Sequence, residues 1–152
     1  MAGFELTRRS AAAPEEVFDV FADGAGWARW AGPLIRRSSW EQEGTPAPGG
    51  VGAIRVLGAR GYGSREQIVE YAPPKRLAYT VLSGFPVRDY RATIELTPSA
   101  DGGTLIRWSA RFHPPVPGTG GLIAFMLRSM LGGFATRAAA YAERAQVFDR
   151  SD

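Results

Sequence analysis

A chain of 152 residues, 45% hydrophobic and 22% charged, has material for one domain whose core is large enough to enclose a cavity. With no cysteine and a single histidine it has no disulfide framework, no thiol nucleophile and too few soft ligands for a structural zinc site, so neither metal nor cofactor is expected. The net charge of +3 is not a nucleic-acid footprint: of the 18 basic residues only Lys75 is Lys, and the arginines are dispersed among acids, with Arg8-Arg9 and Arg36-Arg37 as doublets. The opening Met1-Ala2-Gly3-Phe4-Glu5 has no basic segment leading into an apolar core, and no run approaches the roughly 18 apolar residues of a membrane span. These features predict a cytoplasmic protein without nucleic-acid partner or stable membrane insertion; monomer and homodimer both remain open.

In chain order, Phe4 to Arg9 alternates as a first strand. Ala13-Pro14-Glu15-Glu16-Val17-Phe18-Asp19-Val20-Phe21 reads as a short helix, with Pro in the opening turn and acids where the helix dipole favours them. Trp27 and Trp30 mark a second short helix closed by Gly32-Pro33, and Leu34 to Glu41 a second strand. Gly44-Thr45-Pro46-Ala47-Pro48-Gly49-Gly50 is a loop.

From Val51 onward the pattern is an antiparallel meander whose registers follow from its turns. A turn centred on Arg60-Gly61 sets Arg55 opposite Glu66, and directly paired residues project to one face. Pro73-Pro74 sets Ile68 against Tyr79 and Glu66 against Val81. The loop around Gly84-Phe85-Pro86 sets Val81 against Tyr90, and the turn from Pro98 to Gly103 sets Ile94 against Trp108. One face then carries three rows: Arg55, Glu66, Val81, Tyr90, Phe112; Ala53, Ile68, Tyr79, Ala92, Ala110; and Val51, Glu70, Leu77, Ile94, Trp108. The other face carries Gln67, Thr80, Arg91, Thr93, Arg107 and Ser109, with Glu95 between Arg76 and Arg107, as a solvated face does.

Gly121 to about Phe148 reads as a long helix, with an apolar stripe of Ile123, Leu127, Met130, Phe134, Ala138, Tyr141, Ala145 and Phe148. The stripe needs cover, and the sheet offers it. The expectation is an α+β domain, ordered from about residue 3 to 148, in which a seven-stranded curved antiparallel sheet grips the last helix over an internal cavity, with two short helices between strands 1 and 2.

Arg55 and Glu66 stand out because they aim a charged pair at an apolar face. As a buried ion pair they fix the hairpin; as a site, Arg55 holds an anionic or carbonyl oxygen while Glu66 takes or relays a proton. Tyr90 lies two strands from Glu66, roughly 10 Å at ~4.8 Å per strand, so that a ligand or water can join them. Tyr79 and Tyr90 are core residues or ligand contacts, and Trp108 and Phe112 are walls on either reading. Trp27 and Trp30 pack the short helices or flank a cavity mouth. Ser129, Gly132, Gly133 and Thr136 reduce bulk in the long helix, for close approach or for ligand room. His113 falls at a strand end with no acid at triad spacing.

The order of elements, with Ala13-Pro14-Glu15-Glu16-Val17-Phe18, Trp27-Ala28-Arg29-Trp30, Gly50-Val51-Gly52-Ala53-Ile54-Arg55, Arg65-Glu66-Gln67, Pro73-Pro74-Lys75-Arg76-Leu77-Ala78-Tyr79, Asp89-Tyr90-Arg91-Ala92 and Gly102-Gly103-Thr104-Leu105-Ile106-Arg107-Trp108, resembles the START-like (SRPBCC) superfamily, and within it the polyketide cyclase/dehydrase type. The resemblance runs from Phe4 to about Ala145 and implies the helix-grip fold. Some plant members similar in this hairpin line their cavity with an Arg, a Glu and a Tyr, which match Arg55, Glu66 and Tyr90. In hormone-receptor members two loops act as gate and latch. The corresponding stretches, Gly58 to Gly63 and Ser83 to Asp89, do not keep the receptor motif, so hormone sensing is not implied.

The first functional expectation is binding or carriage of a hydrophobic small molecule, a lipid, polyketide or aromatic metabolite, by Arg55, Glu66, Tyr79, Val81, Tyr90, Trp108, Phe112, Met130 and Phe134. The second is a cofactor-free polyketide cyclase/aromatase or dehydratase with Glu66 as base and Arg55 stabilising an enolate. The third is a protein-interaction module with a filled core.

Overall fold

A computed structural model describes residues 1–150 of the chain, with side chains through residue 147. Phe148, the last residue of the expected helical stripe, lies outside the described side chains. The elements are β1 (Ala2–Ser10), α1 (Pro14–Ala22), a 3-10 helix (Gly24–Arg29), β2 (Arg37–Gln42), β3 (Ile54–Ala59), β4 (Tyr62–Ala72), β5 (Arg76–Ser83), β6 (Arg88–Pro98), β7 (Thr104–His113) and α2 (Gly120–Arg150). The seven strands form one antiparallel sheet in the order β1-β7-β6-β5-β4-β3-β2, and the chain has the helix-grip arrangement expected of it.

The α1 helix begins where Pro14 needs no N–H partner and where Glu15 and Glu16 meet the positive end of the dipole. It buries Val17, Phe18, Val20 and Phe21. The indole of Trp27 donates to the Phe21 carbonyl at 3.0 Å, tying the 3-10 helix to α1. Strand β2 starts at Arg37 and not at Leu34, because the Ile35 amide turns back to the Ala31 carbonyl at 3.2 Å and pairing with β3 opens only with Arg36 N–H on Gly58 O.

The expected central registers are present: Arg55 faces Glu66, Glu66 faces Val81, Ile68 faces Tyr79, Tyr79 faces Ala92 and Ile94 faces Trp108. Four details differ, the first being a register shift between Arg88 and Arg91 that leaves the expected Tyr90–Phe112 pair out of the β6–β7 ladder. Val51 is half exposed, since the positive φ of 93° at Gly52 turns the backbone and inward alternation begins only at Ala53. A bulge between Ile68 and Glu70 inserts one unpaired residue, so Glu70 faces Ala78 and Tyr71 faces Leu77. Glu70 thereby leaves the apolar row and meets Arg76 and Arg91 at 3.6 and 3.5 Å, while Tyr71 packs its ring edge against Phe18. Finally, the β5–β6 ladder ends at Thr80 and Arg91, one step before the expected Val81–Tyr90 pair, because the connection through Gly84 folds away toward β4.

The outer face is a lattice of exposed ion pairs in which Arg76, Glu95 and Arg107 sit on consecutive strands, each contact adding little in water. The concave face receives α2. Its buried apolar side chains among the described residues are Leu127, Leu131, Phe134, Ala135, Ala138, Ala139 and Ala142, a face rotated from the expected stripe, with Ile123, Met130, Tyr141 and Ala145 only partly covered. The rotation follows from contact with β1 as well as with the sheet interior. A side chain at Gly132 would stand 2.6 Å from an Arg8 guanidinium nitrogen, and Arg8 Nε donates to Thr136 Oγ1 at 3.1 Å. Gly132 and Thr136 thus serve close approach. Ser10 Oγ donates to the Ala139 carbonyl, and the Ala11 and Ala13 amides donate to the side chains of Glu143 and Gln146, fastening α2 to the start of α1.

Candidate functional site

Between α2 and the half of the sheet formed by β3 to β6 lies a cavity of about 60 Å³. Strands supply Leu57, Tyr62, Ser64, Glu66, Tyr79 and Tyr90; α2 supplies Leu127, Met130, Leu131 and Phe134; connecting segments supply Trp27, Leu34, Ile35, Gly84 and Phe85. Since a water needs roughly 10–15 Å³ on this measure and small-molecule pockets run to about 300–1,000 Å³, the space holds a few waters as it stands. A metabolite is accommodated only if the walls part. The rim at Leu34 and Tyr62 is exposed, and the Tyr62 hydroxyl donates to the Leu34 carbonyl across it.

The hairpin register puts Glu66 on the cavity wall and Arg55 beside it, with Nε donating to Glu66 Oε1 at 2.9 Å. Arg55 does not border the cavity; it lies behind the carboxylate and is 0% exposed. Its Nη1 donates to the Phe21 carbonyl at 3.1 Å, and its guanidinium carbon sits 4.6 Å from the Trp27 ring centre and 4.7 Å from that of Tyr79. Two aromatic faces thus stand where water would otherwise solvate the charge. Nη2 is buried without a hydrogen-bond partner among the described residues.

Burial pushes the Glu66 carboxyl above its ordinary value, and the Arg55 guanidinium opposes that shift. Among the described residues no group bonds Oε2, so one oxygen of a buried carboxyl stays uncommitted. Burial also raises both Tyr79 and Tyr90, and the nearby Glu66 charge adds to it, so both phenols are held neutral. Their rings stand 6.2 Å apart, which makes Glu66, Tyr79 and Tyr90 one polar strip on a mostly apolar wall. The Trp108 indole N–H has no well-formed hydrogen bond, and the Tyr79 hydroxyl is the group it influences.

Of the residues singled out in the sequence, Glu66, Tyr79, Tyr90, Met130 and Phe134 meet at the cavity. Trp108 and Phe112 lie deeper: Phe21 packs edge-on against Trp108 at 5.4 Å, and Tyr90 stacks on Phe112 at 6.2 Å. Val81 is partly buried against the core without reaching the cavity. Trp27 and Trp30 are both buried with ring centres 4.5 Å apart, and Trp27 alone of the two borders the space. His113 is half exposed at the end of β7, 3.9 Å from Asp89 and apart from the cavity. The wall residues Leu34, Ile35, Leu57, Tyr62, Phe85, Leu127 and Leu131 were not anticipated as such; for Leu131 the signal was its helical spacing from Leu127 and Phe134.

A curved antiparallel sheet closed by a C-terminal helix over a hollow defines a helix-grip protein. The chain belongs to the polyketide cyclase/dehydrase and lipid transport family, which it matches over residues 1–143. A START superfamily protein from Mycobacterium smegmatis has a similar structure, with TM-score 0.80 at 13% identity, covering 95% of this chain and 99% of that one. A Thermobifida fusca protein solved by NMR superposes with TM-score 0.73 at 26% identity, covering 92% and 95% of the two chains. Among curated proteins, uncharacterised proteins of Mycobacterium tuberculosis and Mycobacterium bovis are 31% identical over 113 residues, or 70% of this chain. The chain spans 62% of the length of these relatives. Among the described residues no helix is long and apolar enough to cross a membrane.

Proposed function

We propose that this chain, acting as one domain in the cytoplasm, binds and carries a hydrophobic small molecule of lipid, polyketide or aromatic type between its sheet and α2. The observation that carries this reading is an apolar cavity with a single uncommitted carboxyl oxygen on its wall. Glu66, Tyr79 and Tyr90 are the polar anchors, Met130 and Phe134 are walls, and Arg55 fixes the orientation of Glu66 from behind. Trp108, Phe112 and Val81 support the wall from the next layer. Membership of a family described by both cyclase/dehydrase activity and lipid transport supports a hydrophobic ligand without choosing among its kinds.

A second reading is favoured by the same carboxyl, whose proton affinity is raised where it faces the cavity: Glu66 as general base of a cyclase, aromatase or dehydratase. In that case Arg55 acts through Glu66, since it does not border the cavity. The test of carriage is mass spectrometry of small molecules that copurify under non-denaturing conditions. A bound apolar metabolite, lost when the cavity is filled by substitution, is the expected result. Protein that purifies empty and takes up no apolar compound removes the proposal. Turnover abolished by Glu66→Gln with uptake retained would favour the enzyme.

A further inference from the structure

The charge arrangement at the cavity bears on which hydrophobic molecules suit it. Its polar lining is Tyr62, Ser64, Glu66, Tyr79 and Tyr90, and among the described residues no Arg, Lys or His borders it. Two of these groups are already committed, Tyr62 to the Leu34 carbonyl and Ser64 to the Leu57 carbonyl. Arg55 is not among the lining residues: Glu66 and Phe21 engage two of its nitrogens, the guanidinium lies against Trp27 and Tyr79, and its unpartnered Nη2 is buried with it. The strongest free group at the wall is therefore an acceptor, Glu66 Oε2, beside two neutral phenols.

We infer that the cavity selects a neutral ligand bearing a hydrogen-bond donor, a hydroxyl or a phenol, and rejects the corresponding carboxylate. The inference rests on the carriage reading above. A ligand O–H donating to Glu66 forms a charge-assisted bond and leaves no new charge to desolvate. A ligand carboxylate in the same place sets two like charges in an apolar enclosure, where one of them must take a proton or the ligand must leave. This differs from the expectation that Arg55 receives an anionic oxygen, because Arg55 is not among the cavity's lining residues and Glu66 holds its Nε.

Calorimetric titration of the full chain with naphthol, naphthoate and methylnaphthalene in mildly alkaline buffer tests the inference. Naphthol is expected to bind at least about tenfold more tightly than naphthoate, and more tightly than methylnaphthalene, which lacks the donor. In Glu66→Gln the preference for naphthol over naphthoate narrows severalfold, because the repelling charge is gone. Naphthoate binding as well as naphthol, or methylnaphthalene matching naphthol, overturns the inference and leaves carriage standing. Failure of all three to bind removes the carriage reading and this inference with it. The wild-type comparison needs no variant, so the inference stays testable if Glu66→Gln does not fold.

Discussion

Arg55 and Glu66 meet across β3 and β4 with Nε 2.9 Å from Oε1, and the guanidinium is enclosed between the rings of Trp27 and Tyr79. Glu66→Leu leaves that charge buried without its carboxylate, an arrangement that costs about 3–5 kcal/mol. The double variant Arg55→Met with Glu66→Leu removes both charges and keeps the volume filled, and it is expected to recover wild-type stability or exceed it. Urea unfolding of the three proteins measures this; a double variant as unstable as the single one would mean that the pair contributes net stability.

The raised Glu66 carboxyl sets the sign of a pH dependence. Between the ordinary glutamate value and the higher value in the folded protein, the native state binds more protons than the unfolded chain, so this group's contribution to stability falls as pH rises through that window. Glu66→Gln removes the titration. Subtracting its unfolding free energy from that of the wild type at each pH should give a difference that moves against the wild type as pH rises and then levels off.

Phe134 is 3% exposed, packs against Trp27 at 6.0 Å and walls the cavity. Phe134→Ala enlarges the hollow and is expected to cost about 3–5 kcal/mol by thermal or chemical unfolding. Leu131→Phe acts in the opposite sense by adding bulk to existing space. It should change stability by less than about 1.5 kcal/mol while lowering the amount of copurifying ligand. Equal ligand content in Leu131→Phe and wild type would place the ligand elsewhere.

Gly84 has a φ of 104°, and a side chain on it would stand 2.4 Å from the Gly63 carbonyl oxygen, so the β5–β6 connection rests directly on β4 backbone. Gly61 has a comparable φ of 92° but open space around it. Gly61→Ala should cost about 1–2 kcal/mol from conformation alone, and Gly84→Ala more, because the loop must also move. Comparing their unfolding free energies isolates the contact. Equal costs would show that the approach at Gly63 is soft.

How far the sequence could be read depended on how local the determining forces were. The Arg55–Glu66 register follows from a two-residue turn and strict alternation, and it is present. The outward turn of Glu70 depends on one unpaired residue, although the neighbouring Tyr71 was the better candidate for the interior. The buried face of α2 keeps Leu127, Phe134 and Ala138 of the expected stripe but turns toward alanines 135, 139 and 142, which carry almost no hydrophobic signal and whose small size lets the helix approach β1. Leu34 and Ile35, which hydrophobic patterning assigns to a strand, form part of the cavity rim and wall. The enclosure of Arg55 was illegible because it depends on where the 3-10 helix places Trp27, which no periodicity encodes.

The slip between Ile68 and Glu70 also makes β4 unequally tolerant of length changes along its course. Losing Val69 would leave the flanking residues facing as they now do, with Ile68 inside, Glu70 outside and Tyr71 inside, and would simply straighten the ladder. Losing Gln67 would exchange the two sides of the strand's first half and bring Arg65 to the wall where Glu66 now stands. Natural deletions in this strand are therefore expected to cluster at position 69.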